Sequence, residues 1–255
     1  MRILGVVPAR LGSTRLPNKP LQLLAGAPLI TRVVERVLAL EVVETLVVAT
    51  DSPRIAEAVA STGIAVTLTD PAHPSGTHRV AEVARAAAYA GYDVVVNIQG
   101  DEPFISRDAI AGAIGRVARG DDIGTAAAPL AATDAADPAR VKVVFDAAGR
   151  ALYFSRAPIP FYQDLDAVHG APYWQHLGIY AYTLTALDRW MRLPPSPAET
   201  AERLEQLRAL HGGLTIGVEP LQEPAWPGID TADDLRRAEA YWRAGPAPAP
   251  HALQG

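Results

Sequence analysis

The 255-residue chain contains no cysteine. This absence excludes disulfide bonds, thiolate metal sites and a cysteine nucleophile. A metal ion bound by this protein must therefore be held by oxygen or imidazole ligands. The sequence also lacks any apolar run approaching about 18 residues, and its N-terminus enters a strand pattern with no signal-peptide features. We therefore expect a soluble, cytoplasmic protein without membrane insertion.

Positive charge is in short supply as well. The chain has 23 Lys and Arg against 28 Asp and Glu, which gives a formal net charge of −5. General nucleic-acid binders carry a broad excess of Lys and Arg, so we expect no nucleic acid among the partners. A local concentration of cations would stand out against this acidic background.

Apolar residues are plentiful, and their pattern predicts the fold class. At 49% hydrophobic composition, the chain can bury the core of one large α/β domain, with or without an inserted subdomain. Short apolar runs predict strands at residues 3–7, 45–49, 65–68 and 94–98. Amphipathic stretches predict helices at 28–40, 52–61, 77–90 and from about 106. This alternation is typical of a mainly parallel sheet flanked by helices, with a ligand cleft at the carboxyl ends of the strands.

The rhythm changes after about Thr125, where Pro-rich connections separate the apolar runs. Strands are predicted at 141–145, 151–154, 177–182 and 214–218, and helices at 198–210 and 232–242. We interpret this as one domain over residues 1–244 into which a smaller mixed α/β subdomain is inserted at about 130–210. The Pro/Ala-rich tail at 245–255 has no apolar periodicity and is expected to be disordered.

A cationic loop at 8–21 directly follows the first predicted strand. It carries three permanent positive charges, Arg10, Arg15 and Lys19, together with Gly12. Two hydroxyl residues lie in the same loop, Ser13 and Thr14. Arginine forks match phosphate oxygens and glycine lets backbone N–H groups approach an anion, so the loop predicts a triphosphate site. The alternative is an ordinary basic surface loop; the Walker A spacing is missing.

Two acidic positions could hold a divalent cation. Asp101 follows the strand predicted at 94–98, and Asp230 precedes the last predicted helix. Mg²⁺ prefers one or two carboxylates plus substrate phosphates and water, so the pair would suffice if it converged. Each carboxylate could instead cap the next helix, and for Asp230 capping is at least as good an explanation. In the 73–79 loop, Ser75 or Thr77 could likewise cap a helix, while Gly76 could let the backbone approach a flat ligand.

The second half contains polar groups at predicted strand ends and on one helix. Arg156 could bind a substrate carboxylate, and several other groups could bind sugar hydroxyls. These other groups are His176, Tyr180, Glu205 and Gln206. Taken singly, each is more often a structural residue.

Together the motifs resemble the 3-deoxy-manno-octulosonate cytidylyltransferase (CMP-KDO synthetase) family. The similar segments are PARLGSTRLPNKPL at 8–21, ATD at 49–51, SGT at 75–77, NIQGDEP at 97–103, ALYFSRAPIP at 151–160, HLGIY at 176–180, LEQLR at 204–208 and GIDTADDL at 228–235. The resemblance implies a Rossmann-like nucleotidyltransferase fold over residues 1–244, usually dimeric. The inserted subdomain would serve substrate binding and dimerisation. The implied reaction couples CTP to KDO with release of pyrophosphate, for lipopolysaccharide assembly.

The resemblance also implies roles for individual residues. Nucleotide binding would fall to Arg10, Ser13, Thr14, Arg15, Lys19, Ser75, Thr77 and Asp101. Asp101 and Asp230 would hold Mg²⁺, and with Arg10 and Lys19 they would form the catalytic set. The KDO pocket would be lined by Gln99, Arg156, His176, Tyr180, Glu205 and Gln206. Two positions depart from the family pattern, Ala139 and His78, and neither belongs to the metal or phosphate set.

The implied chemistry is an in-line attack by the anomeric hydroxyl of KDO on the α-phosphorus of CTP. Positioning and charge neutralisation carry such transfers, so no Ser, Cys or His nucleophile is needed. Asp101 or a bound water could accept the proton. Transfer to another sugar, such as an acylneuraminate or a sugar 1-phosphate, is the nearest alternative, and a catalytically silent nucleotide sensor on the same fold is another. A dinucleotide dehydrogenase is disfavoured because the first loop lacks Gly-x-Gly-x-x-Gly.

Overall fold

The computed structural model describes residues 1–13, 15–163 and 173–245. The strands are β1 (Ile3–Ala9), β2 (Leu23–Leu24), β3 (Ala27–Pro28), β4 (Thr45–Thr50), β5 (Ala65–Leu68), β6 (Val94–Asn97), β7 (Ile123–Leu130), β8 (Lys142–Phe145), β9 (Ala151–Ser155), β10 (Tyr173–His176), β11 (Tyr180–Tyr182) and β12 (Ile216–Pro220). The α-helices are α1 (Leu29–Leu40), α2 (Pro53–Val59), α3 (Gly76–Arg85), α4 (Arg107–Ala118), α5 (Leu184–Arg192), α6 (Pro197–Glu202), α7 (Gln206–His211) and α8 (Ala232–Ala244).

A ten-stranded sheet forms the centre of the molecule, in the order β5-β4-β1-β6-β11-β7-β10-β8-β9, with β12 paired to β7. The strands β5, β4, β1 and β6 are parallel neighbours. From β1 the chain first builds outward through β4 and β5, and then returns across β1 to β6. The strand order therefore reverses between β1 and β6, and ligands of such sheets bind in the crevice at the carboxyl ends beside this point.

Helices cover both faces of the sheet. Apolar residues of α1, α2 and α4 pack on one face, and those of α3, α5 and α7 pack on the other. Side chains of β1 alternate between the two cores: Leu4 and Val6 face the second group of helices, and Val7 and Ala9 face the first. Each fully buried Val or Leu contributes about 1.5–3 kcal/mol. The predicted α/β class, with a central sheet flanked by helices, is confirmed.

The first half follows the predicted pattern closely. All four predicted strands and all four predicted helices form there, with ends shifted by a few residues. Pro28 precedes the first helix as its N-cap residue and is not part of the first turn. The helix predicted at 77–90 ends at Arg85, and a short 3₁₀ turn (Ala87–Tyr89) follows it.

The second half departs from the predicted pattern in several places. The strands β7 and β10 and the helix α5 were not expected; β7 reads IGTAAAPL, and its alanines carry little strand preference. The strand predicted at 177–182 is shortened to β11. The single helix predicted at 198–210 is wrong, because Arg203 adopts a left-handed conformation (φ 52°, ψ 47°) and separates α6 from α7.

The predicted insertion contributes strands to the same central sheet. Antiparallel pairing joins β7 to β10, β10 to β8 and β8 to β9. The subdomain limits at about 130–210 stay a prediction, and residues 246–255 of the predicted tail lie outside the described residues. Within the described part of the chain, no helix has the length and apolar character needed to cross a membrane.

Candidate active site

Two adjoining cavities open at the carboxyl ends of β1 and β6. The loop cavity, of about 400 Å³, is lined by the cationic loop and includes Arg10, Ser13, Arg15 and Lys19. The sheet cavity, of about 450 Å³, extends over the ends of β11 and β10 and includes His176, Tyr180 and Glu205. Both cavities are lined by the same five residues where they meet, Arg15, Gly76, Gln99, Asp101 and Asp230.

Asp101 and Asp230 converge on this shared wall although 129 positions separate them in the sequence. Lys19 bridges them: its ammonium group donates to Asp101 Oδ2 and, at 2.9 Å, to Asp230 Oδ1. Arg15 contacts Asp230 Oδ2 at 2.9 Å. Burial lowers the pKa of Lys19, but the two carboxylates outweigh burial and hold this pKa above its usual value. The ammonium therefore stays charged between its two partners.

The capping explanations for both carboxylates are wrong. α8 is capped by Thr231, whose hydroxyl accepts from the N–H of Asp234, in a capping box with that residue. α4 begins only at Arg107 and is capped by Ser106. Neither Asp101 nor Asp230 therefore caps a helix.

The oxygen ligands of this pair fit a hard divalent cation. Among the described residues, no group of three or more His, Cys, Asp or Glu side chains could hold a metal by itself. Mg²⁺ does not require such a group, because it usually keeps waters and takes one or two carboxylates together with substrate phosphates. The donor set matches that requirement.

The cationic loop places positive charge beside the carboxylates. Arg10 is exposed, and besides the loop cavity it lines a third cavity of about 390 Å³ that also includes Asp51 and Arg79. Ser13 lines the loop cavity, whereas Thr14 lies outside the described residues.

Glycines next to the loop cavity allow the backbone segments to approach each other closely. A Cβ atom at Gly100 would lie 3.2 Å from the carbonyl oxygen of Pro8, and one at Gly76 would lie 3.2 Å from Pro8 Cγ. Gly12, by contrast, has open space where its Cβ would be. A side chain at Gly76 or Gly100 would therefore crowd Pro8, whereas one at Gly12 would not be crowded.

Ser75 and Thr77 are tied to a residue of the second half. Ser75 is the N-cap residue of α3, but no capping bond from its side chain is found. Its hydroxyl donates to Glu205 Oε1 at 2.8 Å, and Thr77 donates to Glu205 Oε2 at 2.7 Å. Arg208 also donates to Glu205, at 2.8 Å. With their protons committed to Glu205, the two hydroxyls offer only lone pairs to a ligand.

Ser75 and Thr77, which are predicted to lie near the cytidine, differ in their access to the cavities. Thr77 and Glu205 line the sheet cavity, and Ser75 lines neither of the two main cavities. The nearby ring of His78 contacts the Ser75 hydroxyl through Nδ1 at 2.9 Å. The SGT turn and α7 therefore form one hydrogen-bonded unit at the side of the sheet cavity.

Neutral polar groups line the floor of the sheet cavity. Gln99 donates to the carbonyl of Gly178 at 3.2 Å. His176 Nε2 lies 3.0 Å from the Thr125 hydroxyl, and burial lowers the pKa of His176 to about 3. Burial also raises the pKa of Tyr180 well above its usual value. Both side chains are uncharged at neutral pH and suit hydroxyl ligands. Gln206, at the start of α7, completes this set.

Arg156, the predicted carboxylate ligand, is held by backbone carbonyls. Its guanidinium donates to the carbonyls of Glu202 and Pro138, each at 2.8 Å, and of Arg203 at 3.4 Å. The buried ammonium of Lys142 donates to three more carbonyls, those of Asp137, Arg140 and Arg156. The two cations thus shape the far rim of the sheet cavity, and Arg156 retains N–H donors beyond these three bonds.

The structure adds residues that the sequence did not single out. Glu102 lines the sheet cavity, and burial together with the neighbouring Asp101 raises its pKa to about 8. Arg140 lines the same cavity and donates to Gln175 at 3.2 Å. Arg79 is buried and contacts Asp51 at 2.5 Å beside the loop cavity. The sequence signal for these residues is their position within or beside the DEP, VKVV and SGT segments.

Comparison with known proteins gives a consistent result. The sequence model of the family described as Cytidylyltransferase matches residues 4–216. The 3-deoxy-manno-octulosonate cytidylyltransferase of Gemmatimonas aurantiaca is 53% identical over 245 residues, which are 95% of each chain. The enzyme of the same name from Methylococcus capsulatus is 46% identical over 245 residues, with coverage of 92% of this chain and 95% of the relative.

Solved structures agree with the sequence comparison. The structure of CMP:2-keto-3-deoxy-manno-octonic acid synthetase complexed with CTP has a TM-score of 0.87 at 37% identity, covering 96% of this chain and 99% of the other. A 4-diphosphocytidyl-2C-methyl-D-erythritol synthase from Anaerococcus prevotii, at 13% identity, has a TM-score of 0.61 over 95% and 98% of the chains and shares the fold alone. By sequence and by structure, the chain belongs to the 3-deoxy-manno-octulosonate cytidylyltransferase family.

Proposed function

We propose that this chain transfers CMP from CTP to KDO, giving CMP-KDO and pyrophosphate for lipopolysaccharide biosynthesis, and that it requires Mg²⁺. The observation that carries the proposal is the wall shared by the loop cavity and the sheet cavity. Asp101 and Asp230 lie on that wall, so a group bound in either cavity can reach both carboxylates. A transferase that joins two substrates needs such a meeting point.

The loop cavity suits the triphosphate of CTP. Arg10, Arg15 and Lys19 supply three permanent charges there against the four negative charges of a nucleoside triphosphate. Arg15 contacts Asp230 and Lys19 contacts both carboxylates, so two of these cations lie directly beside the proposed metal ligands. Arg10 is exposed at the cavity mouth and would meet the phosphates first.

The sheet cavity suits an acidic sugar rich in hydroxyl groups. Gln99, His176, Tyr180 and Gln206 offer neutral donors and acceptors, and the oriented hydroxyl of Thr77 offers an acceptor. Cations at this cavity, including Arg15 and Arg156, would balance the sugar carboxylate. In KDO the carboxylate is attached to the anomeric carbon, so it must lie near the shared wall when the anomeric hydroxyl reacts.

The proposed step is an in-line displacement at the α-phosphorus. A bond forms between the anomeric oxygen and the α-phosphorus, while the bond to the bridging oxygen breaks and pyrophosphate leaves with the electron pair. Bound Mg²⁺, held by Asp101 and Asp230, would acidify the attacking hydroxyl and neutralise phosphate charge. The cationic loop orients the triphosphate and stabilises the departing pyrophosphate, and the sheet cavity aims the hydroxyl. The hydroxyl proton leaves to Asp101 or to water.

Release of pyrophosphate tests the proposal directly. The purified protein is incubated with CTP, KDO and Mg²⁺, and each component is omitted in turn. We expect release only in the complete mixture. Replacement of CTP by another nucleoside triphosphate, or of KDO by an acylneuraminate or a sugar 1-phosphate, should abolish release. Faster turnover of one of these replacements would overturn the substrate assignment, and CTP binding without any release would indicate a nucleotide sensor.

We further propose that the enzyme is a cytoplasmic homodimer. Support comes from the edge strand β9 and the segment after it, where Leu152 and Phe161 are exposed, the latter by 87%. Exposed apolar residues at a sheet edge favour association. Light scattering after size-exclusion chromatography should give about twice the monomer mass of 27.0 kDa; a monomer mass at micromolar concentration would contradict the dimer.

A further inference from the structure

A small hydrophobic core lies beneath the two carboxylates, apart from the two main cores. We call it the C-terminal core; its buried members are Leu16, Leu24, Leu29, Ile229 and Ala238, with Phe104, Leu235 and Trp242 packed against them. Its members come from every charged segment of the shared wall. Leu16 follows Arg15 in the cationic loop, Phe104 lies in the loop after Asp101, and Ile229 immediately precedes Asp230.

Aromatic contacts join two of these segments to α8. The ring of Phe104 lies 5.1 Å from that of Trp226, which precedes Ile229 in the chain. Tyr241 of α8 contacts both, at 5.1 Å edge-on to Phe104 and at 4.5 Å to Trp226. Trp242 lies 5.8 Å from Phe104. Such clusters fix relative positions because rings interlock in few arrangements.

Backbone contacts tie the same segments together at the carboxylates. The N–H of Ile229 donates to the carbonyl of Asp101 at 2.9 Å. Asp230 stands one residue before the Thr231 cap, so its position follows the start of α8. Ala238 is the only buried residue of α8. The C-terminal core is thus the main apolar attachment of the helix that follows Asp230.

We propose that the C-terminal core positions the carboxylate pair, with Ile229 and Trp242 setting the separation of Asp101 and Asp230. Because Mg²⁺ demands near-ideal octahedral geometry at about 2.0–2.1 Å, a small displacement of one carboxylate weakens its binding. This inference rests on the proposed Mg²⁺ role of the pair. It goes beyond the family resemblance, which implies a role for the two carboxylates and none for the apolar residues that pack behind them.

A purely structural role would lower stability without a selective effect on the metal. The informative variants are Ile229→Ala and Trp242→Ala, with Ile229→Val and Trp242→Phe as conservative replacements. The matched control is Ile110→Ala, a fully buried residue of α4 in a main core. It loses the same atoms as Ile229→Ala at a site that lines neither cavity.

The experiment measures Mn²⁺ binding by electron paramagnetic resonance in the presence of CTP, at a temperature where circular dichroism shows every variant folded. The dissociation constant should rise about 10-fold in Ile229→Ala and Trp242→Ala. It should change less than about twofold in Ile110→Ala and in the conservative replacements. The KM for KDO, measured at saturating Mg²⁺, should stay within about twofold in all variants.

The outcomes separate this inference from the proposed function. Wild-type affinity for Mn²⁺ in both alanine variants, or equal weakening in Ile110→Ala, would overturn the positioning role and leave the magnesium site standing. Failure of the wild-type protein to bind Mn²⁺ would overturn both. If Trp242→Ala does not fold, Ile229→Ala alone decides the question against its control.

Discussion

At the scale of single residues, Lys19 has two competing sets of partners. Its ammonium group contacts one oxygen of Asp101 and one of Asp230, the two carboxylates that are proposed to hold Mg²⁺. A metal ion bound by these carboxylates repels the ammonium group, and the phosphates of CTP attract it. We therefore expect Lys19 to exchange the carboxylates for phosphates when the metal ion and CTP bind.

Replacing Lys19 by Met tests this exchange. Without the ammonium, the two carboxylates repel each other, and we expect Tm to fall by about 5 °C in the absence of divalent cations. Added Mg²⁺ should raise Tm more in Lys19→Met than in the wild type, while the KM for CTP rises about 10-fold or more. Differential scanning fluorimetry with Lys19→Arg as the charge-preserving control measures the shift. An equal Mg²⁺ response in wild type and Lys19→Met would contradict the exchange.

Asp101 is expected to be indispensable for turnover. Asp101→Asn keeps the shape of the side chain but removes its charge, and kcat for pyrophosphate release should fall about 10³-fold or more. The fold and weak CTP binding should persist. Glu57→Gln, the same chemical change on the exposed side of α2, serves as the control and should be fully active. A folded Asp101→Asn protein with normal turnover would refute the assignment.

Burial of His176 makes stability depend on pH. The pKa of His176 is lowered to about 3 in the folded protein, whereas an unfolded chain has a histidine pKa of about 6.5. Between these values the unfolded state binds the extra proton, so the stabilisation is full above pH 6.5 and is lost as the pH falls towards 3. From pH 7 to pH 5 the loss is about 2 kcal/mol.

Urea unfolding at the two pH values measures this term. Between pH 7 and pH 5, the free energy of unfolding should fall by about 2 kcal/mol more in the wild-type protein than in His176→Gln. The difference arises because Gln has no titrating group at this position. Equal losses in both proteins would show that the ring takes up its proton in the folded state near the usual pKa.

Residue types were more predictable than their partners. Cations after a first strand and carboxylates at strand and helix ends indicated the shared wall, because charge and position relative to the sheet are legible in sequence. The sequence did not predict the hydrogen bonds from Ser75 and Thr77 to Glu205, or those from the Arg156 guanidinium to three carbonyls. These contacts join segments far apart in the chain, and local chemistry does not specify them.

At the scale of secondary-structure elements, the break between α6 and α7 shows tertiary contacts overriding helix propensity. The sequence ETAERLEQLRAL is rich in helix-forming residues and predicted one continuous helix. In the structure the carbonyls of Glu202 and Arg203 accept from Arg156, and Glu205 turns towards the SGT segment. In a continuous helix these carbonyls would point along the helix axis. They could not then accept from Arg156 while Glu205 contacts the SGT segment.

Arg203→Gly tests whether the break is a fixed feature. A non-glycine residue in the left-handed region is strained, and Arg203 has an exposed side chain. Glycine should therefore raise the free energy of unfolding by about 0.5–1 kcal/mol. Arg203→Ala keeps the strain and serves as the reference in urea unfolding. Lower stability of the glycine variant than of the alanine variant would mean that the break is not fixed.

Elements of the first half were predicted well because strong Val/Ile/Leu runs alternate there with amphipathic helices. Prediction failed where composition was ambiguous. The alanine-rich β7 is a strand because it pairs with β10, β11 and β12 at the centre of the sheet. Such pairing depends on the whole topology, which no local pattern of residues contains.

At the scale of the whole molecule, the topology brings the two substrate cavities to one carboxylate pair. The loop after β1, the loop after β6 and the start of α8 meet at the sheet edge where strand order reverses. The residues alone left two explanations for Asp230, a metal ligand or a helix cap, and the family resemblance favoured the metal ligand. The fold adds a physical reason, which is the attachment of α8 to the C-terminal core.

A crystal structure with Mg²⁺ and a non-hydrolysable CTP analogue would show whether Asp101 and Asp230 hold one metal ion between the two cavities. We expect a metal ion about 2.1 Å from an oxygen of Asp101 and an oxygen of Asp230. The phosphates should lie in the loop cavity and the Lys19 ammonium should contact a phosphate. A metal ion that contacts neither carboxylate, or phosphates bound in the sheet cavity, would contradict this expectation.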